Sequence, residues 1–311
     1  MIYTITFNPA LDYVMNVAHL QTEDINRTES EQIYYGGKGI NVSVILSRLG
    51  VKNKALGFLA GFSGKQIEDM LREDNIDTDF VYLNKGYTRI NVKIKSEQGI
   101  DINAQGPDID QSAVDELFLK LEQLKAGDCL VLAGSIPSTL GNDIYESIIQ
   151  KLSGKGIDFI VDATGDLLLN VLKYKPLMIK PNHHELGDIF NAEIKTLEDI
   201  STYGKKLQEM GARNVLVSRG RDGAALLDEN GELHTIGTVP GRIKSAVGCG
   251  DSMVAGFIAG YYDTKDYSFA LQLGSACGNA TAFSDTLATK EEIEKMLDND
   301  FLKNEGSYEN Y

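Results

Sequence analysis

The sequence predicts an α/β fold, in which a mostly parallel central sheet is covered by helices and accompanied by a small second sheet. Short apolar runs alternate with helical stretches along the 311 residues, an order typical of parallel sheets flanked by helices. Residues 88–107 depart from this alternation of strands and helices, because apolar and polar side chains alternate there as in an antiparallel hairpin with one exposed face. The length suits one large α/β domain.

Apolar runs predict the strands of the central sheet, and several are continuous, as expected of strands buried on both faces. They cover residues 2–7, 55–60, 129–134, 158–163, 177–180 and 214–220. Helices are predicted between them, where apolar residues recur at helical spacing. This spacing occurs at Val42, Ile45, Leu46 and Leu49, and again at Val254, Phe257, Ile258 and Tyr261.

The small sheet is predicted from the alternation of Ile90, Val92 and Ile94 with polar residues, followed by the turn sequence SEQG at 96–99. Two further segments are expected to pair with this hairpin. They are residues 14–20 and 30–36.

The domain organisation predicted is a single domain over residues 1–311. Strands from about 12–36 and 86–106 are expected to be inserted into it as a lid over a site. The polar end of the chain, residues 303–311, is expected to be mobile.

Charge and composition exclude several classes of partner. The net charge of −15, from 30 basic and 45 acidic side chains, disfavours binding to nucleic acid or anionic lipid. No apolar run reaches the roughly 18 residues of a membrane span, and we expect no signal peptide. The three cysteines are widely spaced without metal-site spacing, which predicts reduced thiols and a cytoplasmic location.

The motif Gly248-Cys249-Gly250-Asp251 stands immediately before an apolar helical run. The first N–H groups of a helix lack partners within it, and glycines let such groups converge on an anion. A transferring phosphoryl group fits this cradle, and Asp251 could then accept the proton of an attacking hydroxyl. The alternative is an aspartate that caps a helix after a glycine turn.

A second glycine cluster, GGKGIN at 36–41, also opens a predicted helix. Gly37 permits close backbone approach, while Lys38 and Asn41 supply a cation and an amide, which suits a polyol or a phosphate. The motif matches neither the Walker A pattern nor the dinucleotide fingerprint. A plain strand-to-helix turn is the alternative.

Polar residues also follow other predicted strands. In KPNHHEL, Lys180 and Asn182 stand at the end of a strand, and Glu185 offers the hard oxygen that Mg²⁺ prefers. SRGRDGA at 218–224 fits either a nucleotide pocket or a hairpin turn. In TFNPALDY, Asp12 could bind two sugar hydroxyls or serve a turn.

The order of these motifs resembles the ribokinase/PfkB family of carbohydrate kinases. GGKGINVSVILSRLG, and VGCGDSMVAG about two hundred residues later, are similar to the two signatures of that family, and the resemblance covers residues 1 to about 290. It implies a ribokinase-like three-layer α/β/α fold with a small β-sheet lid, ATP as phosphate donor and Mg²⁺ as metal.

The resemblance also implies roles for individual residues. Asp251 would be the catalytic base, and the amides of Gly248, Cys249 and Gly250 would form the anion hole. The implied sugar contacts are Asp12, Gly37, Lys38, Asn41 and Ser135. The implied ATP-site residues are Lys180, Ser218, Arg219, Gly220, Gly223 and Asn279. The implied Mg²⁺ residues, acting through water, are Asn182 and Glu185.

The first strand and the hairpin are similar to the branch of that family that phosphorylates sugar phosphates. Arg89 would contact the phosphate already on the sugar, assisted by Arg27 and Lys38. The segment DINAQGP resembles kinases of fructose 1-phosphate more than kinases of tagatose 6-phosphate. We therefore expect fructose 1,6-bisphosphate as product, with tagatose 6-phosphate as the alternative acceptor and a homodimer paired through the lid.

Two residues depart from the family pattern. Cys249 stands where alanine or serine is usual, and a thiol beside an anion hole is expected to have a lowered pKa and to be open to alkylation. Arg219 stands where a smaller residue is commoner. A nicotinamide-dependent dehydrogenase is disfavoured because the first strand lacks the dinucleotide fingerprint, and a catalytically silent sensor is disfavoured because the GCGD motif is intact.

Overall fold

The residues that the structure describes form two β-sheets, the larger of which carries helices on both faces. The computed structural model describes residues 1–21, 23–97, 99–299 and 302. The predicted mobile end, residues 303–311, and Gln98 of the predicted turn lie outside the described residues.

The strands and helices alternate along the chain. The strands are β1 Ile2–Thr6, β2 Ala10–Asn16, β3 Ser30–Gly36, β4 Asn53–Ala60, β5 Asp77–Thr78, β6 Val81–Leu83, β7 Arg89–Lys95, β8 Ile100–Ile102, β9 Cys129–Ala133, β10 Asp158–Asp162, β11 Met178–Ile179, β12 Asn214–Ser218, β13 Ala224–Leu227 and β14 Leu233–Ile236. The helices are α1 Lys38–Arg48, α2 Gly61–Glu73, α3 Gln111–Leu121, α4 Ile144–Leu152, α5 Asp166–Leu169, α6 His183–Phe190, α7 Leu197–Glu209, α8 Cys249–Thr264, α9 Tyr267–Phe283 and α10 Lys290–Leu297.

The central sheet confirms the predicted α/β class. Among the described residues its order is β14-β13-β12-β11-β10-β9-β1-β4-β5, with β6 paired to β4. The pairs from β12 through β4, and those of β4 with β5 and β6, are parallel, whereas β12–β13 and β13–β14 are antiparallel. Each of the predicted apolar runs overlaps one strand of this sheet, although β4 begins two residues before the predicted run 55–60. The short strands β5 and β6 and the antiparallel edge were not predicted.

Helices cover both faces of the sheet and form separate apolar layers. One layer packs α3 through α7 against residues such as Leu130, Phe159 and Val215. The other face is covered by α1, α8, α9 and α10, with α2 packed beside α1. The side chains of successive strand residues alternate between these layers, because neighbouring residues of a strand point to opposite faces. In the described part of the chain, no helix combines the length and the apolar composition that crossing a bilayer requires.

The small sheet has the order β3-β2-β7-β8. The predicted hairpin is confirmed, since β7 and β8 pair antiparallel. The prediction of a strand at 14–20 is wrong in its bounds, because β2 runs from Ala10 to Asn16 and pairs in parallel with β7. Asp12 therefore lies within a strand opposite Asn91, and not in a turn.

The two faces of the small sheet differ in polarity. Asp12 and Asn91 share one face, and both line a cavity against the body of the protein. The other face carries Tyr13, Ile33 and Ile102. Tyr13 pairs with both Ile33 and Val92, and Val92 pairs with Ile102, so all of these side chains lie on the same face. On this apolar face Ile33 is 48% and Ile102 57% exposed.

Gly57 sets how closely β1 and β4 approach. It pairs with Thr6 at a φ of +141°, and a Cβ added to it would lie 2.0 Å from the Thr6 carbonyl oxygen. The Thr6 hydroxyl in turn accepts a hydrogen bond from the Ile40 N–H at 2.9 Å, which places the start of α1. Glycine at position 57 therefore supports the end of β1, where the site lies.

We predict that Gly57→Ala lowers the free energy of unfolding by about 3 kcal/mol, because the new Cβ meets both backbone strain and a clash. The control is Gly50→Ala, since Gly50 also has a positive φ (+78°) but has no atom within 4 Å of an added Cβ. The control should lose about 1 kcal/mol. Urea unfolding measures both variants, and equal losses would contradict the role assigned to the contact with Thr6.

Candidate active site

Three adjoining cavities lie at the carboxyl edge of the central sheet. The central cavity has a volume of about 350 Å³ and includes Asp12, Lys38, Asn41, Arg89 and Asp251 in its lining. The polar cavity, of about 410 Å³, shares Gly37, Lys38, Arg89 and Asp162 with it and adds Asn8, Ser135, Asn142 and Thr164. The apolar cavity, of about 650 Å³, is lined by Val239, Met253 and Phe283 among others, and shares Ala246 and Gly250 with the central cavity.

Asp251 lines the central cavity from the first turn of α8, next to Gly250, which lines both the central and the apolar cavity. Its side chain is buried, and Oδ2 accepts a hydrogen bond of 2.7 Å from Asn41 Nδ2. Burial, followed by the charge of Asp162, raises the pKa of Asp251 to about 6, while Asn41, Lys38 and Lys180 act in the opposite direction. A carboxylate with such a pKa can accept a proton near neutral pH.

The GCGD motif forms the N-terminus of α8, as predicted. Gly248 is the N-cap at a φ of +81°, and a Cβ there would lie 2.6 Å from Leu287. A Cβ on Gly250 would lie 3.2 Å from Lys180 Nζ. Gly248 therefore permits close packing against Leu287, and Gly250 lets the Lys180 ammonium group approach the start of the helix, where the helix dipole also favours an anion.

Asp162 is a site residue that the motifs did not indicate. It ends β10, and both of its carboxylate oxygens lie 3.3 Å from Lys38 Nζ. Oδ1 also lies 3.4 Å from Lys180 Nζ. A carboxylate at the end of an apolar strand, in DFIVDA, was the signal in the sequence that could have identified it.

Lys38 sits among several charges in this cluster. Burial lowers its pKa, but Asp162, Asp251 and Glu185 act the other way, and the pKa of Lys38 is raised overall. The ammonium group therefore stays protonated and can pair with an anionic ligand.

The predicted sugar contacts come together, with one exception. Asp12 accepts hydrogen bonds from Asn91 Nδ2 at 2.8 Å and from Lys93 Nζ at 2.6 Å. Arg89 donates from Nε to the Asn8 carbonyl at 3.1 Å, and burial lowers its pKa, an effect that Asp12 partly offsets. Ser135 lines the polar cavity together with Arg89.

Arg27 is the exception. It is exposed in the connection between β2 and β3 and lines none of the three cavities. Within one chain, the structure does not bring this guanidinium group to the other predicted sugar contacts. The reason is that the connection follows the Asn16–Ser30 pair at one end of these strands, whereas the central cavity is lined by Ala10 and Gly36 at the other end.

Most of the predicted ATP-site residues line the apolar cavity. They are Ser218, Gly220, Gly223 and Asn279. Lys180 lines the central cavity instead. Arg219 lines neither, because its guanidinium group turns back to the Asp222 carbonyl at 3.2 Å, and Arg221 lines the apolar cavity in its place.

Asn182 and Glu185, the predicted Mg²⁺ residues, form a reciprocal capping box at the start of α6. The Asn182 side chain accepts from the Glu185 N–H at 2.9 Å, and Glu185 Oε2 accepts from the Asn182 N–H at 2.8 Å. Glu185 also contributes to the raised pKa of Lys38, which places its charge near the cluster. With these oxygens engaged, the donor set fits a hydrated cation held through its waters.

The surroundings of Cys249 contradict the prediction of a reactive thiol. Burial, followed by the nearby charge of Asp251, raises the pKa of Cys249 to about 11. Its Sγ donates to the Ser245 carbonyl at 3.5 Å. The prediction was wrong mainly because the burial of this thiol cannot be read from the sequence, and secondarily because the nearby charge of Asp251 acts in the same direction. A thiol with a raised pKa is a poor nucleophile.

Comparisons with known proteins agree with this geometry. A family model described as pfkB family carbohydrate kinase matches residues 5–293. The 1-phosphofructokinase of Bacillus subtilis (strain 168) is 43% identical over 297 residues, which cover 96% of this chain and 97% of that protein. The D-tagatose-1-phosphate kinase of Bacillus licheniformis is 37% identical over 297 residues, with coverages of 95% and 97%.

A solved structure shares the fold over almost the whole chain. The phosphofructokinase-2 from Escherichia coli in complex with fructose-6-phosphate superposes with a TM-score of 0.89 at 25% identity, and covers 97% of this chain and 99% of that one. A further structure of that E. coli protein is of its tetrameric inhibited form. Since the family model and the relatives span nearly all of the sequence, this chain belongs to the pfkB family of carbohydrate kinases, phosphotransferases that use ATP and an alcohol group as acceptor.

Proposed function

We propose that the chain transfers the γ-phosphoryl group of ATP to a ketohexose 1-phosphate, with fructose 1-phosphate as the preferred acceptor and fructose 1,6-bisphosphate as product. The observation that carries this proposal is that Asp251 lines the central cavity directly beside Gly250, a residue that also lines the apolar cavity. A base at that position can face an acceptor in the central cavity while a nucleotide occupies the neighbouring apolar cavity. The shared Gly250 connects the two spaces.

The acceptor is proposed to occupy the central and polar cavities together. Its phosphate would lie in the polar cavity beside Arg89 and Ser135, since a guanidinium group and a hydroxyl suit a phosphate. Its sugar hydroxyls would face Asp12 and Asn41 in the central cavity. This orientation directs the hydroxyl at the far end of the sugar towards Asp251.

The adenosine of ATP is proposed to lie in the apolar cavity, with its phosphates directed towards the start of α8. Val239, Met253 and Phe283 supply apolar surface there. The γ-phosphoryl group would then meet the first N–H groups of α8, where backbone donors and the helix dipole stabilise negative charge.

The chemical step follows from these positions. The acceptor hydroxyl gives its proton to Asp251 while its oxygen forms a bond to the γ-phosphorus, and the bond between that phosphorus and the bridging oxygen breaks to release ADP. The amides of Gly248, Cys249 and Gly250 stabilise the charge on the transferring group. Mg²⁺, held through water near Asn182 and Glu185, would neutralise charge on the ATP phosphates when bound.

The choice of sugar rests on the relatives. The more similar of the two is named for fructose 1-phosphate and the other for tagatose 1-phosphate. These ketohexose phosphates differ only in configuration at C4. Tagatose 1-phosphate is therefore our second candidate, ahead of the tagatose 6-phosphate that the sequence suggested.

We also propose that the chain is one kinase domain, that the small sheet closes over the acceptor as a lid, and that two copies pair through its apolar face. The exposed Ile33 and Ile102 support the pairing, because apolar patches on a sheet favour burial against a partner. Arg27 could then contribute only if a second copy presents it to the site. The three free thiols fit the cytoplasmic location that the sequence predicts.

An assay of ADP release over a panel of acceptors tests the substrate. We expect kcat/KM to be highest for fructose 1-phosphate, lower by about tenfold for tagatose 1-phosphate, and lowest for unphosphorylated fructose. Arg89→Met should raise KM for the sugar phosphate by about 10- to 100-fold and leave KM for ATP unchanged. Equal turnover of fructose and fructose 1-phosphate would contradict the proposed phosphate site.

The base is tested with Asp251→Asn, which we expect to lower kcat by about 10²- to 10⁴-fold while nucleotide affinity is retained. For the wild type, kcat/KM should fall below about pH 6 as Asp251 becomes protonated. Because folding raises the pKa of Asp251, the ionised Asp251 carboxylate destabilises the folded state above about pH 6. At neutral pH, Asp251→Asn should therefore melt at the same temperature as the wild type or higher. Normal turnover by the variant would exclude Asp251 as the base.

The dimer is tested by measuring mass in solution with light scattering. The double variant Ile33→Asp/Ile102→Asp should halve the mass, because two charges would be buried in the paired apolar faces. Leu119→Asp on α3 is the control, since Leu119 is 63% exposed but lies outside the small sheet. A monomeric wild type, or equal masses for all three proteins, would contradict pairing through this face.

A further inference from the structure

Asp162 is a buried carboxylate with no part in the chemical step proposed above. It is 2% exposed and ends β10 at the carboxyl edge of the sheet. Its partners are two ammonium groups, Lys38 Nζ at 3.3 Å from both oxygens and Lys180 Nζ at 3.4 Å from Oδ1. A buried charge requires such compensation, and here two cations share one anion.

The two lysines serve different parts of the site. Lys38 lines both the central and the polar cavity, on the side proposed for the acceptor. Lys180 lies against Gly250 at the start of α8, on the side proposed for the transferring group, and its side chain is only 7% exposed. Asp162 therefore forms ion pairs with one lysine on the acceptor side and one on the side of the transferring phosphoryl group.

We infer that Asp162 is a positioning residue for phosphoryl transfer, which holds the ammonium groups of Lys38 and Lys180 in place on either side of the transferring group. This inference rests on the proposed function. Without the carboxylate, the two ammonium groups would lie close together and repel each other. At least one of them would then move, and small displacements of charged groups cost much of the rate of phosphoryl transfer.

The charge of Asp162 also acts on the proposed base. Asp251 is surrounded by Asp162, Lys38 and Lys180, and accepts a hydrogen bond from Asn41. Asp162 is the one group among these charges that raises the pKa of Asp251. Neutralising it should shift the acid limb of the pH profile to lower pH, which a purely structural contact would not do.

The test is Asp162→Asn, which keeps the shape of the side chain and removes its charge. We expect kcat to fall by about 10- to 100-fold. KM for ATP and for fructose 1-phosphate should not rise, because the site becomes more positive towards anions. The matched control is Asp158→Asn at the start of the same strand, where Asp158 pairs with Arg213 and Tyr262 away from the cavities. The control should keep wild-type kinetics.

A double-mutant cycle with Lys38→Met shows whether Asp162 acts through the lysine. If it does, the double variant should lose little more activity than Lys38→Met alone, because the two substitutions remove the same arrangement. Fully additive losses would overturn the inference. So would recovery of the Asp162→Asn variant at high Mg²⁺ concentration, since that result would place the carboxylate in metal binding.

The inference and the proposed function fail in different ways. A wild type that phosphorylates no acceptor in the panel refutes the proposed function. An active wild type whose Asp162→Asn variant keeps its kcat and its acid limb refutes only the role of Asp162. The melting temperature of Asp162→Asn should fall below that of the wild type, because two ammonium groups lose the carboxylate that they share, and the kinetics are therefore measured below that temperature. If Asp162→Asn does not fold, the test is made with Asp162→Glu, which we expect to restore ion pairing but not kcat.

Discussion

The architecture of the site depends on mutual compensation between charges gathered at the carboxyl edge of the parallel sheet. Asp162 and Asp251 are both buried, and each would be costly to ionise alone. Lys180, also buried, and Lys38 lie close enough to offset that cost. The lysines therefore favour the charged form of both carboxylates, whereas Asp162 disfavours the charge on Asp251, and the removal of one member alters the others.

The positive groups of this cluster explain how a chain with a negative net charge can bind anionic ligands. The protein carries a net charge of −15, which repels phosphates at long range. Close to the site, Lys38, Lys180 and Arg89 face the cavities, together with the first N–H groups of α8. Short-range interactions in a partly desolvated cleft outweigh the screened field of distant carboxylates. Local arrangement therefore matters more than total charge for this site.

The small sheet contributes through the difference between its faces. Its polar face brings Asp12 and Asn91 to the central cavity, while its apolar face leaves Ile33 and Ile102 exposed. Strand alternation produces both surfaces from the same residues, because neighbouring side chains point in opposite directions. The structure thus combines ligand contacts and a surface suited to pairing within a few short strands.

Much of the fold was predictable from the sequence because its signals are local. Apolar runs and helical spacing indicated the main strands and helices, and the glycines of GCGD indicated a helix start with a backbone conformation such as the positive φ of Gly248. The short strands β5 and β6 were missed because two or three residues carry too little pattern. The start of β2 was misplaced because its pairing partner, β7, lies far along the chain.

The sequence by itself determined the order of the elements, the glycine turns and the residue types offered at the strand ends, because periodicity and backbone conformation are encoded by neighbouring residues. Only the tertiary structure decided which of those residues meet. It placed Asp162 between two lysines and left Arg27 outside the cavities. It also brought Arg221, and not Arg219, to the lining of the apolar cavity, and its burial of Cys249 raised the pKa of that thiol. Distances and burial between residues far apart in the chain control these outcomes, and no local pattern encodes them.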